Sequence, residues 1–558
     1  MFFNFPSVVM RYFGITTLLW VLPVSAKTMD VIYNDVLSHP SPYIPAQCYT
    51  KPEVSENHTV NPCYACHTMS KRPNMLNDID VQLNYVFPTS VLKNPWKNLF
   101  KDRSKLIADI SDEQILTYVR QDNYFDEQGN IRLKKRLKDD IRYFDANNNN
   151  SWDGYVPDSY FNFDNQGFDR TPNGDYTGWR SYAYYPLPGS FMPTNGSTDD
   201  VSIRLAPAFQ QNEQGQFDLS IYKINMAIVE AMIMEQDVAI DPIDENILGV
   251  DLDKNGVLGT AKQVKYDWAP LEKRFMSYVG KAKVEQQHGN VHMAAKLFPE
   301  GTEFLHSVRY LDIDNNGQVK MAPRMKELRY AKKHSWMTYY QWEVIVNAEI
   351  KERHDFPDRT KTVLGNAEEG VNVAQGWNYQ GFIEDYQGEL RPQTYEEQIT
   401  CTGCHGGTGV MIDSNISFYR KLPHSSFQRG WYHWQQKPMQ GVPEPKRESD
   451  GEYEYSYYLK HNPTGDEFRA NDEVKAKFFN ENGQPREEMF NKLHQDIAVL
   501  MLPTKQRALD LNKVYKTIVE EQSFKLGKAP LLSPADQVVF KEVTLNQETG
   551  IKEPLSAF

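Results

Sequence analysis

The sequence predicts an α+β, multidomain chain in which mainly helical regions at both ends flank a loop- and strand-rich middle region. Three observations predict it. Two Cys-x-x-Cys-His pentapeptides, Cys63-Tyr64-Ala65-Cys66-His67 and Cys401-Thr402-Gly403-Cys404-His405, lie 338 residues apart. Amphipathic helical patterns follow each of them, whereas residues 141–395 are rich in Tyr, Asn, Asp, Gly and Pro and mostly lack helical periodicity. Apolar residues make up 40% of the chain, which is enough for a packed core and argues against a disordered linker.

Taken in order, residues 1–26 read as a secretory signal. Arg11 precedes an apolar stretch from Tyr12 to Leu22, and Pro23-Val24-Ser25-Ala26 supplies a cleavage site, so the mature chain is expected to begin at Lys27. No cysteine directly follows the apolar stretch, so this leader does not predict a lipid anchor. No later run approaches 18 apolar residues, and no stable membrane insertion is expected after cleavage. The expected location is the bacterial periplasm.

Residues 27–140 form the first helical region. Ser111 and Gln114 make a capping box ahead of Ile115, Leu116 and Val119, the inward face of a short helix. Residues 141–395 form the middle region, read as short strands and structured loops with helices over 221–234 and 335–353. From 396 to 558 helical patterns return, with amphipathic stretches over 471–479 and 486–502. Charge narrows the partners: 61 Lys+Arg against 74 Asp+Glu give a formal net charge of −13. That balance argues against nucleic acid or an anionic membrane surface and is compatible with a basic redox partner.

Cys-x-x-Cys-His is an attachment pattern for c-type haem. Cys63, Cys66, Cys401 and Cys404 would become thioethers, and His67 and His405 would turn towards the iron as proximal ligands. The competing readings are a thioredoxin-like redox pair, which lacks its usual βαβ setting, and half of a zinc site. Sixth-ligand candidates are Met75, after Arg72-Pro73-Asn74, and His433, within Trp431-Tyr432-His433-Trp434. The fifth cysteine, Cys48, reads as a small buried apolar residue.

The middle region also holds two D-x-D-x-N-G segments: Asp251, Asp253 and Asn255 before Gly256, and Asp312, Asp314 and Asn316 before Gly317. Alternate side-chain oxygens before a sharp glycine turn are how an EF-hand loop wraps calcium. Lys262 and Pro323 stand where the bidentate Glu belongs, so each loop needs a distant carboxylate. A looser third candidate is Asp145-Ala146-Asn147-Asn148-Asn149, with Asp153 and Asp158 beyond it. The competing reading for all three is an Asx-rich turn between strands.

Two resemblances follow from these motifs. Ser111-Asp112-Glu113 with Ile115 resembles the C-terminal helix of cytochrome c domains. Two haem pentapeptides in one chain, with calcium-type loops, resemble the bacterial di-haem c-type cytochromes, a group that includes di-haem peroxidases and rubber-cleaving haem oxygenases. The resemblance implies cytochrome c-like haem regions at both ends, two covalent haems, electron transfer with periplasmic redox partner proteins, and a place within a redox enzyme. A pure electron carrier and a haem-based sensor are the alternatives. No catalytic residue carries over.

Overall fold

Strands dominate the centre of the chain in the computed structural model. It describes residues 44–51, 53–55, 58–60, 87–139, 141–189, 192–360, 362–373, 375–405, 413, 415–447, 450–461, 471–545 and 547. The first two strands, β1 (Glu53–Ser55) and β2 (His58–Val60), form an antiparallel pair. The next, in chain order, are β3 (Phe168–Arg170), β4 (Tyr176–Tyr182), β5 (Thr198–Arg204), β6 (Val238–Asp244), β7 (Thr260–Val264), β8 (Glu303–Ile313) and β9 (Val319–Lys333). Last come β10 (Leu364–Asn366), β11 (Gly370–Val373), β12 (Trp377–Glu384) and β13 (Leu390–Pro392). Nine of them build one antiparallel sheet in the order β10-β11-β12-β9-β8-β5-β4-β3, with β13 beside β12. β6 and β7 form a separate two-stranded ribbon.

The β8–β9 hairpin is the spine of the sheet, in register from Glu303↔Lys332 to Ile313↔Val319. The helix Leu219–Met234 lies over the sheet in a core with Ile203, Phe304, Ala331 and Trp377. It is apolar almost all round, as a helix buried on every side must be. A second core joins the two ends of the chain. Ile115 and Val119 of the helix Asp112–Arg120 and Ile518 and Val519 of the helix Lys505–Glu521 pack with Tyr310 and Leu311 of β8.

This architecture corrects the predicted fold class. Mainly helical haem regions at both ends are not what flanks the middle; the terminal helices pack onto the central sheet itself. The long strands escaped sequence reading because β8 and β9 carry charged side chains inward, which breaks the apolar alternation of a half-buried strand. Arg309, Arg324, Lys326, Glu327 and Lys333 are all buried there. Most are matched locally, as where Arg324 Nε meets Glu384 Oε1 at 2.5 Å and Lys333 meets Asp413, while Lys326 donates to the Gly196 carbonyl and the Ser197 hydroxyl.

The individual helices follow the pattern reading more closely. Ser111 and Gln114 do form a capping box, with Ile115 and Val119 buried. The stretch 335–353 starts later, at Tyr339, because Thr338 and Gln341 make another box there. The stretch 486–502 is two helices, Glu487–Gln495 and Ala498–Met501, broken where Asp496 takes an extended conformation (φ −152°, ψ 104°).

Candidate functional site

Two of the three calcium-type loops share one geometry. In the first, Asp251 accepts from the N–H groups of Asn255 and Gly256, Asp253 from Asn255, and Asn255 from Val257. In the second, Asp145 accepts from Asn149 and Asn150, Asn147 from Asn149, and Asn149 from Ser151. The fourth and sixth positions are left-handed in both: Lys254 and Gly256 in one, Asn148 and Asn150 in the other. A backbone coiled this tightly turns the oxygens of positions one, three and five towards a common centre.

Each loop also receives a distant buried glutamate at the same two places. Glu245 accepts from Leu252 N–H and Gly259 N–H, the second and ninth positions of its loop. Glu368 accepts from Ala146 N–H and Asp153 N–H, again the second and ninth. Both glutamates are fully buried, and among the described residues neither is paired with a basic side chain. One carboxylate oxygen from each of Glu245, Asp251 and Asp253 falls within 4.8 Å of the others, the spread a single cation can bridge. The donor set is all oxygen, which suits calcium.

The third loop is different. Asp314 accepts from the N–H groups of Asn316 and Gln318, and Gly317 N–H returns to the Asp314 carbonyl. This is the three-residue turn that closes the β8–β9 hairpin, with Gly317 left-handed (φ +79°). Asp312 is held instead by Arg120 at 2.8 Å and Lys320 at 3.4 Å. The turn reading therefore describes Asp312, Asp314 and Asn316. Asp158 also lies apart from its loop, paired with Arg204 at 2.6 Å.

Of the pentapeptides, Cys63, Cys66 and His67 lie outside the described residues, as does Met75. Cys401, Cys404 and His405 occupy consecutive short helical turns, Ile399–Cys401 and Thr402–His405. Cys404 is exposed, and the His405 ring lies 4.6 Å from that of Tyr379. Two thiols and an imidazole on one helical run fit the donors that thioether haem attachment uses. Burial works against the positive charge of Arg329; Glu327, with Cys401 adding, more than restores it.

Next to this segment, cross-strand register sets Tyr182, Val201, His306, Arg329 and Gly381 in one row across the sheet. Burial, then the charge of Arg329, pushes His306 down to about 3. Its neighbour Asp199 is raised to about 7, chiefly by burial. His433 sits elsewhere, buried, with Nε2 3.1 Å from Asp200 Oδ2 and Nδ1 accepting from Gln435 N–H. Both ring nitrogens thus face protein partners, and the ring stacks on Phe163 at 4.9 Å.

Sequence reasoning did not reach Glu245 and Glu368. Glu245 is six residues before its loop, and Glu368 is more than two hundred after its own, so no local pattern marks them.

The comparisons with known proteins overturn the cytochrome resemblance. A lipoprotein family model matches residues 32–495. An uncharacterized lipoprotein of Aquifex aeolicus (strain VF5) is 30% identical over 577 residues, covering 92% of this chain and 91% of the relative. No solved structure matches. Neither match supports a di-haem c-type cytochrome, an oxidoreductase or an electron-transfer role, and the large antiparallel sheet is not the helical scaffold that resemblance implied. No helix among the described residues is long and apolar enough to cross a membrane. On both matches, the chain belongs to this lipoprotein family.

Proposed function

We propose that the chain is an exported, calcium-braced protein of the cell envelope, facing the periplasm, whose two matched loops hold one Ca²⁺ each. One observation carries the reading. Glu245 and Glu368 are fully buried carboxylates whose hydrogen bonds come from backbone N–H groups, with no cationic side chain paired with them among the described residues. Burying an unmatched charge is costly, and a divalent cation in the adjoining oxygen cluster would relieve the cost. Asp251, Asp253 and Asn255 supply one loop, and Asp145, Asn147 and Asn149 the other. The ions hold the backbone of each loop against its glutamate; they are structural, with no substrate position assigned to them.

Terbium titration tests this, because Trp152 lies within the second loop and can sensitise a bound lanthanide. Two equivalents of Tb³⁺ should bind, calcium should displace them, and EDTA should lower the melting temperature. Glu245→Gln or Glu368→Gln should each weaken one site by at least about tenfold, while Asp312→Asn should leave both intact. An unchanged melting temperature in EDTA, with no Tb³⁺ emission, would sink the proposal.

Haem at the pentapeptides is a separate proposal about cofactor loading, without a carrier role. Its support is the helical run that sets Cys401, Cys404 and His405 in the attachment spacing. The intact mass of the exported protein decides it: the chain mass alone removes haem from these sites.

A further inference from the structure

The helix Leu219–Met234, the strand β6 and the turn at residues 428–431 line a half-open cavity of about 270 Å³ that also reaches Arg180 of β4. Its wall is apolar on one side, with Ile224, Ala227, Val238 and Ile240, and cationic on the other, with Arg180, Lys223 and Arg429. The single acid lining it, Asp241, is already taken by Lys223 at 2.8 Å and Arg429 at 3.1 Å.

Arg180 is the unusual member. It is only 7% exposed, yet no carboxylate lies within ion-pairing distance of it among the described residues. Its Nε donates to the Gln166 carbonyl at 3.0 Å, and among the described residues no hydrogen bond engages its two terminal nitrogens. The guanidinium is clamped between the rings of Phe168 and Trp431, 4.4 Å and 3.9 Å from their centroids. Burial lowers its pKa to about 9, against the opposing charges of Glu230, Asp164 and Asp241, none of which pairs with it directly among the described residues. Stacking fixes the plane of the fork and leaves its donating edge free for a planar, two-oxygen acceptor. The turn over the cavity is itself held in a rare conformation: Gln428, Arg429 and Gly430 are all left-handed. Lys421 Nζ donates to the Arg429 carbonyl at 2.7 Å, so the strain is locked in by the surrounding structure.

We propose that this cavity binds a small organic carboxylate. Its carboxylate meets Arg180 in a two-point hydrogen bond, and its compact aliphatic part lies against Ile224, Ala227, Val238 and Ile240. The volume is below that of a typical drug-sized site, which limits the ligand to a short-chain acid. Lys223 and Arg429 at the mouth favour the anion over its neutral analogue.

Calorimetry on the full exported chain, with hexanoate, hexanol and inorganic phosphate as probes, tests the assignment. Hexanoate should bind saturably and perturb the fluorescence of Trp431, while hexanol and phosphate should each bind at least about tenfold more weakly. Arg180→Met should remove most of the hexanoate affinity, and Arg429→Gln, at a half-buried position, should weaken it severalfold, with the far-ultraviolet circular dichroism and melting temperature of each variant checked against the parent. Equal binding of hexanoate and hexanol, no saturable hexanoate binding at about 1 mM, or affinity unchanged in both variants would overturn the proposal. Repeating the titration with calcium saturating separates this result from the fate of the calcium loops.

Discussion

Asp199 and Asp200 are consecutive, yet the pleat of β5 sends them to opposite faces and into opposite electrostatic settings. Burial would raise Asp200 as well, but His433, Arg309 and Ser307 overcome it and hold the group at about 2. Asp199 has the Tyr184 hydroxyl as donor and His306 Nε2 at 3.5 Å, with Arg329 further off, and burial wins. His306, pushed down to about 3, stays neutral across the range that matters. An acid raised to about 7 in the fold, against about 4 when unfolded, binds protons more tightly folded, so its stability contribution falls as pH rises from 4 to 7. Asp199→Asn should therefore stabilise the protein at pH 8, on the order of 2 kcal/mol, and do little at pH 4. Denaturant melts at the two pH values check it; the same shift at both would refute the assignment. A sequence shows two adjacent aspartates, but which one finds a cation depends on strands paired a hundred residues away.

At the scale of elements, one turn recurs throughout the chain. Asp126, Asp164, Asn212, Asp314, Asp385 and Asn480 each accept from the N–H groups two and four residues on, with a left-handed glycine at the fourth position. The segment at Asp312 looked like a calcium loop because this turn and the calcium loop share the Asx-Asn-Gly vocabulary. They part in where the first aspartate goes. In the loop at Asp251 it folds back onto the fifth and sixth amides, whereas Asp312 points away to Arg120. At Gly317 an added Cβ would meet nothing within 4 Å, so only the left-handed backbone opposes a side chain there. Gly317→Ala should cost about 1 kcal/mol and Gly317→Asn distinctly less, as read from denaturant midpoints. The helix start at Ser111 and Gln114 was legible, because a capping box is written within four residues, while the same kind of box at Thr338 and Gln341 went unread and the helix there was started too early.

At the scale of the molecule, the helices Asp112–Arg120 and Lys505–Glu521, from either side of the middle region, meet on β8, and no local pattern could announce that. Ile115 and Ile518, some four hundred residues apart, share one core. Ile115→Ala and Ile518→Ala should each cost roughly 2–4 kcal/mol and lower the same thermal transition. Two separable transitions, each sensitive to one variant, would show that the ends fold independently. The leader over 1–26 lies outside the described residues, and membership of a lipoprotein family agrees with the coarser expectation of an exported, envelope-associated protein. One feature of the ribbon links both proposed ligands. β6 supplies Val238 to Ile243 to the wall of the cavity and runs directly into Glu245, the residue that clasps the Asp251 loop. A strand shared by two proposed sites is the element through which any coupling between them would run. Whatever factor the ion adds to the affinity for the acid, the acid must return to the ion, so the envelope's supply of one becomes a gauge of the other.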